Sequence, residues 1–175
     1  RIGAGSAFAL SASAAWVLYD RPPPNEVLTL GPEPSAPMRL PALAVPGIAG
    51  QPGLEFADIA RAAKPVLLNI FASWCAPCAV EAPLLGGLRK QGIVIWGIAY
   101  RDKPETVTAF LNRFGDPFTR LGLDEKGEIV GRLGVSGVPE NILVDGTGTA
   151  RWRWAGGLTA DVIEQALLPR WKALV

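Results

Sequence analysis

The chain has 175 residues, 49% of them hydrophobic and 19% charged, with a net charge of +1, two cysteines and no histidine. That length suits one domain with a real core plus a tail. A near-neutral balance with no Lys/Arg cluster argues against a nucleic-acid footprint, and the missing histidine removes Cys–His and Ser–His nucleophile schemes.

From Ile2 to Tyr19 the sequence carries no charge, is rich in Ala, Ser and Gly, and ends in Trp16-Val17-Leu18-Tyr19. As a helix it would span roughly 27 Å, close to a bilayer core of about 30 Å. With Arg1 before it and aromatics at its far end, residues 1–19 read as a membrane signal-anchor with the N-terminus inside. A cleavable signal peptide ending near Ala12-Ser13-Ala14 and a buried core helix are the alternatives. Either of the first two readings places the globular part in an oxidising compartment outside the cytoplasm. Arg21-Pro22-Pro23-Pro24 opens a Pro-rich spacer over 20–37, extended and semi-rigid. Pro and Gly stay dense to Gly53, so 20–53 should be mostly irregular, with a short strand near Met38 to Leu40. The domain proper is expected over 38–175.

Glu55 to Ala63 reads as a short helix with Phe56, Ile59 and Ala60 on one face. Val66 to Ala72, apolar except for Asn69, reads as a buried central strand. Cys75 to Gln91 is helical, with Pro83 expected to kink it. Ile93 to Ala99 is a second buried strand, and Pro104 to Phe114 a helix with Val107, Phe110, Leu111 and Phe114 inward. A short strand near Phe118 to Leu121 and a helix near Glu128 to Leu133 follow. Asn141 to Val144 and Ala150 to Trp154 flank Asp145-Gly146-Thr147-Gly148 as an antiparallel hairpin. Thr159 caps a last helix that should run to Leu168 and stop at Pro169.

The two cysteines stand in Trp74-Cys75-Ala76-Pro77-Cys78, between the central strand and a helix. At a helix N-terminus, unpaired N–H groups and the positive end of the dipole favour a thiolate on Cys75, and Cys78 lies about one turn on, placed to close a disulfide. This is the pattern of a redox-active dithiol engaged in thiol–disulfide exchange. A zinc site would need ligands beyond the two cysteines. A static bridge over so short a loop would constrain the unfolded chain little. Gly146-Thr147-Gly148 lacks the Lys-Ser/Thr of a phosphate loop, and no peroxidase-type Pro-x-x-x-Thr-x-x-Cys occurs.

Strand, Trp-Cys-x-x-Cys, helix, then Gly137-Val138-Pro139, hairpin and helix resembles the thioredoxin fold over about residues 38–172. The resemblance implies an α/β fold, a mixed sheet flanked by helices. Between Cys78 and Pro139 lie 139 − 78 = 61 positions, room for an extra strand–helix insertion between the Cys-x-x-Cys helix and the cis-Pro. It also implies a cis Val138–Pro139 bond facing the dithiol, where the Val138 backbone would pair with an extended substrate segment; an ordinary turn proline is the alternative. Leu68 to Cys75, Glu81, Tyr100-Arg101-Asp102-Lys103-Pro104-Glu105 and Gly137-Val138-Pro139-Glu140 further resemble the CcmG/DsbE (CycY) family of cytochrome c maturation, in the TlpA-like branch.

That resemblance implies a thiol:disulfide oxidoreductase of the bacterial inner membrane, single-pass, with its catalytic domain in the periplasm and no cofactor. It would reduce disulfides of apocytochrome c or its haem-handling proteins, with electrons from a membrane thiol donor of the CcdA/DsbD type. Cys75 would attack the substrate disulfide and Cys78 would resolve the mixed disulfide. Trp74 would shape the groove beside the sulfurs. Thioredoxin keeps a buried Asp where this chain has Asn69, so Glu81 is the candidate proton acceptor for Cys78, half-buried, raised in pKa and acting through a water; a solvated helix glutamate is the alternative. Glu140, beside Pro139, is a candidate to select basic or polar substrate edges. A TlpA-like reductase for copper-site cysteines of an oxidase, or a non-catalytic peptide- or copper-binding module, are the rival functions.

Overall fold

The structure, a computed structural model, describes residues 37–48 and 52–175. The expected anchor over 1–19, and the expected spacer over 20–37 apart from its last residue, lie outside the described residues. Among the described residues no helix is long and apolar enough to cross a membrane.

Among the described residues eight strands and six helices follow in chain order: β1 (Met38–Arg39), β2 (Ala44–Val45), β3 (Leu54–Glu55), α1 (Ala57–Ala62), β4 (Val66–Phe71), α2 (Ala76–Lys90), β5 (Ile95–Tyr100), α3 (Pro104–Phe114), β6 (Arg120–Asp124), α4 (Glu128–Arg132), β7 (Glu140–Val144), β8 (Thr149–Ala155), α5 (Ala160–Val162) and, after a π turn over Ile163–Leu167, α6 (Leu168–Lys172). The main sheet has the order β1-β8-β7-β4-β5-β6. β4, β5 and β6 are mutually parallel, while β7 runs antiparallel to both β4 and β8. This is the mixed, helix-flanked thioredoxin-like sheet the sequence predicts, with β5, α3, β6 and α4 between α2 and the Val138–Pro139 turn.

Every residue of β4 is buried, which explains why it is apolar except for Asn69: helices cover both faces. The period of two separates its side chains. Leu68 and Ile70 enter one core cluster with Trp96, Ile98 and Ile142. Leu67 packs on the opposite side with Leu85, Leu88 and Ile95. Phe71 lies in the cluster that holds both cysteines, its ring 5.6 Å from Phe110 and 4.9 Å from Phe118. Asn69 shares the face of Leu67 and Phe71 and therefore looks toward α2. The helix continues through Pro83 to Lys90, and α3 spans the predicted Pro104–Phe114.

Three expectations are corrected. Part of the stretch read as irregular forms a small pair, with Ala44 opposite Glu55 and Val45 opposite Leu54. Burial holds it: Val45 and Leu54 press on Gly122, where an added Cβ would sit 2.6 Å from Val45. No local periodicity could announce a contact made with β6. β6 itself starts two residues late, because its register with β5 (Trp96 opposite Arg120, Tyr100 opposite Asp124) is set by the partner strand. Pro169 does not end the last helix. It falls in α6, directly after the π turn, whose wider backbone gives its ring room against the preceding turn.

Candidate active site

β4 delivers the chain to Ser73-Trp74, and α2 begins one residue after Cys75. Cys75 is the N-cap, with extended backbone (φ −91°, ψ 108°), and its sulfur accepts the Cys78 N–H at 3.2 Å. Pro77 occupies the first turn, where its fixed φ suits the helix. The two sulfurs are joined as a disulfide, with Cα atoms 5.3 Å apart. Both cysteines are buried, whereas Trp74 is 60% exposed and donates its indole N–H to the Arg101 carbonyl at 3.2 Å. An exposed apolar wall thus stands beside a sheltered sulfur that an N-terminal dipole would stabilise once reduced as a thiolate.

The Val138–Pro139 peptide is cis. Val138 packs on the cluster that contains Cys75 and Cys78, and Pro139 is buried. Gly157 lies near both halves: a Cβ there would be in ordinary contact, 3.8 Å from the Pro77 carbonyl and 3.9 Å from Pro139. The Gly156 N–H donates to the Pro139 carbonyl at 2.8 Å.

Glu81 is 1% exposed, deeper than the half-burial expected of it. Its Oε1 accepts from Asn141 Nδ2 at 2.6 Å and from the Leu158 N–H at 3.1 Å, and its Oε2 from Asn69 Nδ2 at 3.4 Å. Asn69 also donates to Asn141 Oδ1 at 3.0 Å, across the β4–β7 pairing. Burial raises the Glu81 pKa, and the hydrogen bonds from Asn141, Leu158 and Asn69 only partly oppose it. All of these donors are neutral amides. A cavity of about 10 Å³, the space of one water, lies between Cys78, Asn69, Phe71 and Phe110.

Glu140 is buried as well and faces Arg153, whose Nε donates to its Oε1 at 2.8 Å. The same guanidinium donates to the carbonyls of Leu133 (3.0 Å) and Gly134 (3.3 Å). The carboxylate is therefore tied to the segment that leads into the cis-Pro, instead of standing open in a groove. Sequence reasoning missed Asn141 and Arg153 as members of this region. Asn141 had a signal: like Asn69, it is a lone amide in a strand whose remaining interior is apolar. Among the described residues no cluster of three or more His, Cys, Asp or Glu is arranged to hold a metal.

Comparison with known proteins agrees with this geometry. Residues 38–153 match the AhpC/TSA family. The thiol:disulfide interchange protein HelX of Rhodobacter capsulatus is 43% identical over 129 residues, covering 74% of this chain and 73% of the relative. The thiol:disulfide interchange protein DsbE of Escherichia coli K12 is 36% identical over 169 residues, covering 94% of this chain and 88% of the relative. A crystal structure from Chlorobium tepidum, assigned as a DsbE thiol:disulfide interchange protein, superposes with a TM-score of 0.68 at 25% identity, covering 79% of this chain and 96% of that one. The chain therefore belongs to the AhpC/TSA family and, within it, to the thioredoxin-like DsbE/HelX thiol:disulfide interchange proteins, making it a thiol:disulfide oxidoreductase.

Proposed function

We propose that this oxidoreductase works as a reductant in c-type cytochrome maturation, removing the disulfide of apocytochrome c or of a haem-handling partner. The likeness to E. coli DsbE supports the reading: the alignment spans 94% of this chain and 88% of the relative. A membrane anchor over 1–19, a catalytic domain in the periplasm and a membrane thiol donor of the CcdA/DsbD type belong to the same proposal.

In the cycle, the Cys75 thiolate attacks one sulfur of the substrate disulfide. The substrate bond breaks, one substrate sulfur leaves as a thiolate, and a mixed disulfide forms. Cys78 then loses its proton toward Glu81 through a water and attacks the Cys75 sulfur. The second substrate sulfur leaves, and the chain's two electrons now reside in the reduced substrate. A donor dithiol restores the Cys75–Cys78 pair. The backbone of Val138, ahead of Pro139, aligns the substrate as an added strand, with Trp74 as the wall of its path.

Replacing Cys78 with Ser in the anchored protein removes the resolving step, so the mixed disulfide on Cys75 accumulates. Apocytochrome c or a haem-handling protein is the expected captive, identified by mass spectrometry of the trapped species. Capture of a copper protein or of many unrelated clients, or an empty trap, would overturn the maturation role.

A further inference from the structure

Asp102 sits in the turn between β5 and α3, 7% exposed, and none of the steps above uses it. Four donors converge on its carboxylate. Oδ1 accepts from the Ser73 hydroxyl at 2.9 Å, the Lys103 N–H at 2.9 Å and the Thr106 hydroxyl at 2.6 Å, while Oδ2 accepts the Ser73 backbone N–H. Burial alone would raise its pKa. The hydrogen bonds from Thr106, Ser73 and Lys103 outweigh that and hold it below the ordinary carboxylate value, so the group stays charged at neutral pH.

The residue before it completes a double tie. Arg101 has φ +48°, a left-handed conformation unfavourable for a residue with a Cβ. Its N–H is fixed by the Asp124 carbonyl at 2.9 Å, and its own carbonyl receives the Trp74 indole N–H. Two consecutive residues of one turn therefore grip the two consecutive residues that precede Cys75. Core burial gives no reason for this, since Trp74 projects into solvent. Capping α3 requires only the bonds to Lys103 and Thr106, whereas both Ser73 bonds reach away from that helix.

We propose that Asp102 is a positioning residue for thiol–disulfide exchange with polypeptide partners: its carboxylate fixes Ser73 and, through it, the Trp74 wall along which a partner chain is aligned over Cys75. The inference rests on the oxidoreductase activity and is independent of which protein is the physiological substrate. A small aliphatic disulfide needs the Cys75 sulfur but not the wall, so the two classes of substrate separate the roles.

The test measures second-order rate constants of the reduced full chain with insulin and with hydroxyethyl disulfide. Asp102→Ala should slow the insulin reaction about tenfold while leaving the small disulfide within about twofold, since misplacement of a docking surface penalises only the substrate that docks. Thr106→Ala, which removes one bond on the α3 side of the network and leaves Ser73 bound, should stay within about twofold of wild type on both. Ser73→Ala removes one tie without disturbing the turn; it should slow insulin alone, by about threefold, and carries the test if Asp102→Ala does not fold. Equal losses on both substrates, an unchanged insulin rate, or a Thr106→Ala loss as large as that of Asp102→Ala would overturn the proposal.

Discussion

Glu81 is a carboxylic acid packed among amides with no cation to compensate it, and this has a sign that can be measured. A buried carboxyl with a raised pKa supports the fold fully below its unfolded value, near 4.3, and that support is lost as pH rises through the folded value. Glu81→Gln should flatten this slope, so that in urea melts wild type loses stability relative to the variant as pH rises. If the residue accepts the Cys78 proton, the same substitution should also displace the pH profile of mixed-disulfide resolution, and an unchanged profile would remove it from the cycle. The acid was a candidate because it stands at the resembled family's acidic position, six residues after Cys75. Its depth was not readable, because the turn at Leu158 that seals it follows β8, far along the chain.

The β7–β8 hairpin shows the same logic at the scale of an element. Asp145-Gly146-Thr147-Gly148 announced the turn, and the structure adds why it is tight. The Asp145 carboxylate accepts from the Thr147 N–H and hydroxyl, the Thr149 N–H and Arg151 Nε. Burial would raise this group, yet these bonds prevail and bring it down to about 2. Its contribution is therefore present above the unfolded value near 3.9 and fades as pH falls toward 2. Asp145→Asn should destabilise the protein by about 1–2 kcal/mol at neutral pH, with the gap to wild type closing in acid, as followed by thermal melts. Elements with their own periodicity or punctuation, such as β4, α3 and this hairpin, were legible from sequence. The β2–β3 pair and the helical path through Pro169 were not, since contacts with β6 and a π turn decide them.

At the scale of the whole molecule, a net charge of +1 leaves little long-range field, so partner choice falls to the shape and apolar character of the rim around Cys75. The insulin-reduction kcat/KM should then vary by less than about threefold between ~0.05 and ~0.5 M salt; a steeper dependence would mean that a local charged patch steers encounter. The alternation of strands and helices with a terminal hairpin made a mixed, helix-covered sheet legible, and the resemblance of the motif order to thioredoxin supplied the particular fold. The ties across the site, Asp102 to Ser73 and Arg153 to Glu140, join residues far apart in sequence and carried no signal beyond the presence of a charge.

The short β2–β3 pair has a consequence for how copies of this protein coexist. Along β6, Gly47 bridges to Gly122 and the Leu123 N–H donates to the Pro46 carbonyl at 2.8 Å. A parallel strand at a sheet margin would otherwise offer its backbone as a template to any extended chain nearby. Here the segment that leaves the short pair, through Pro46 and Gly47, occupies part of that template and guards one flank against fibril-like growth.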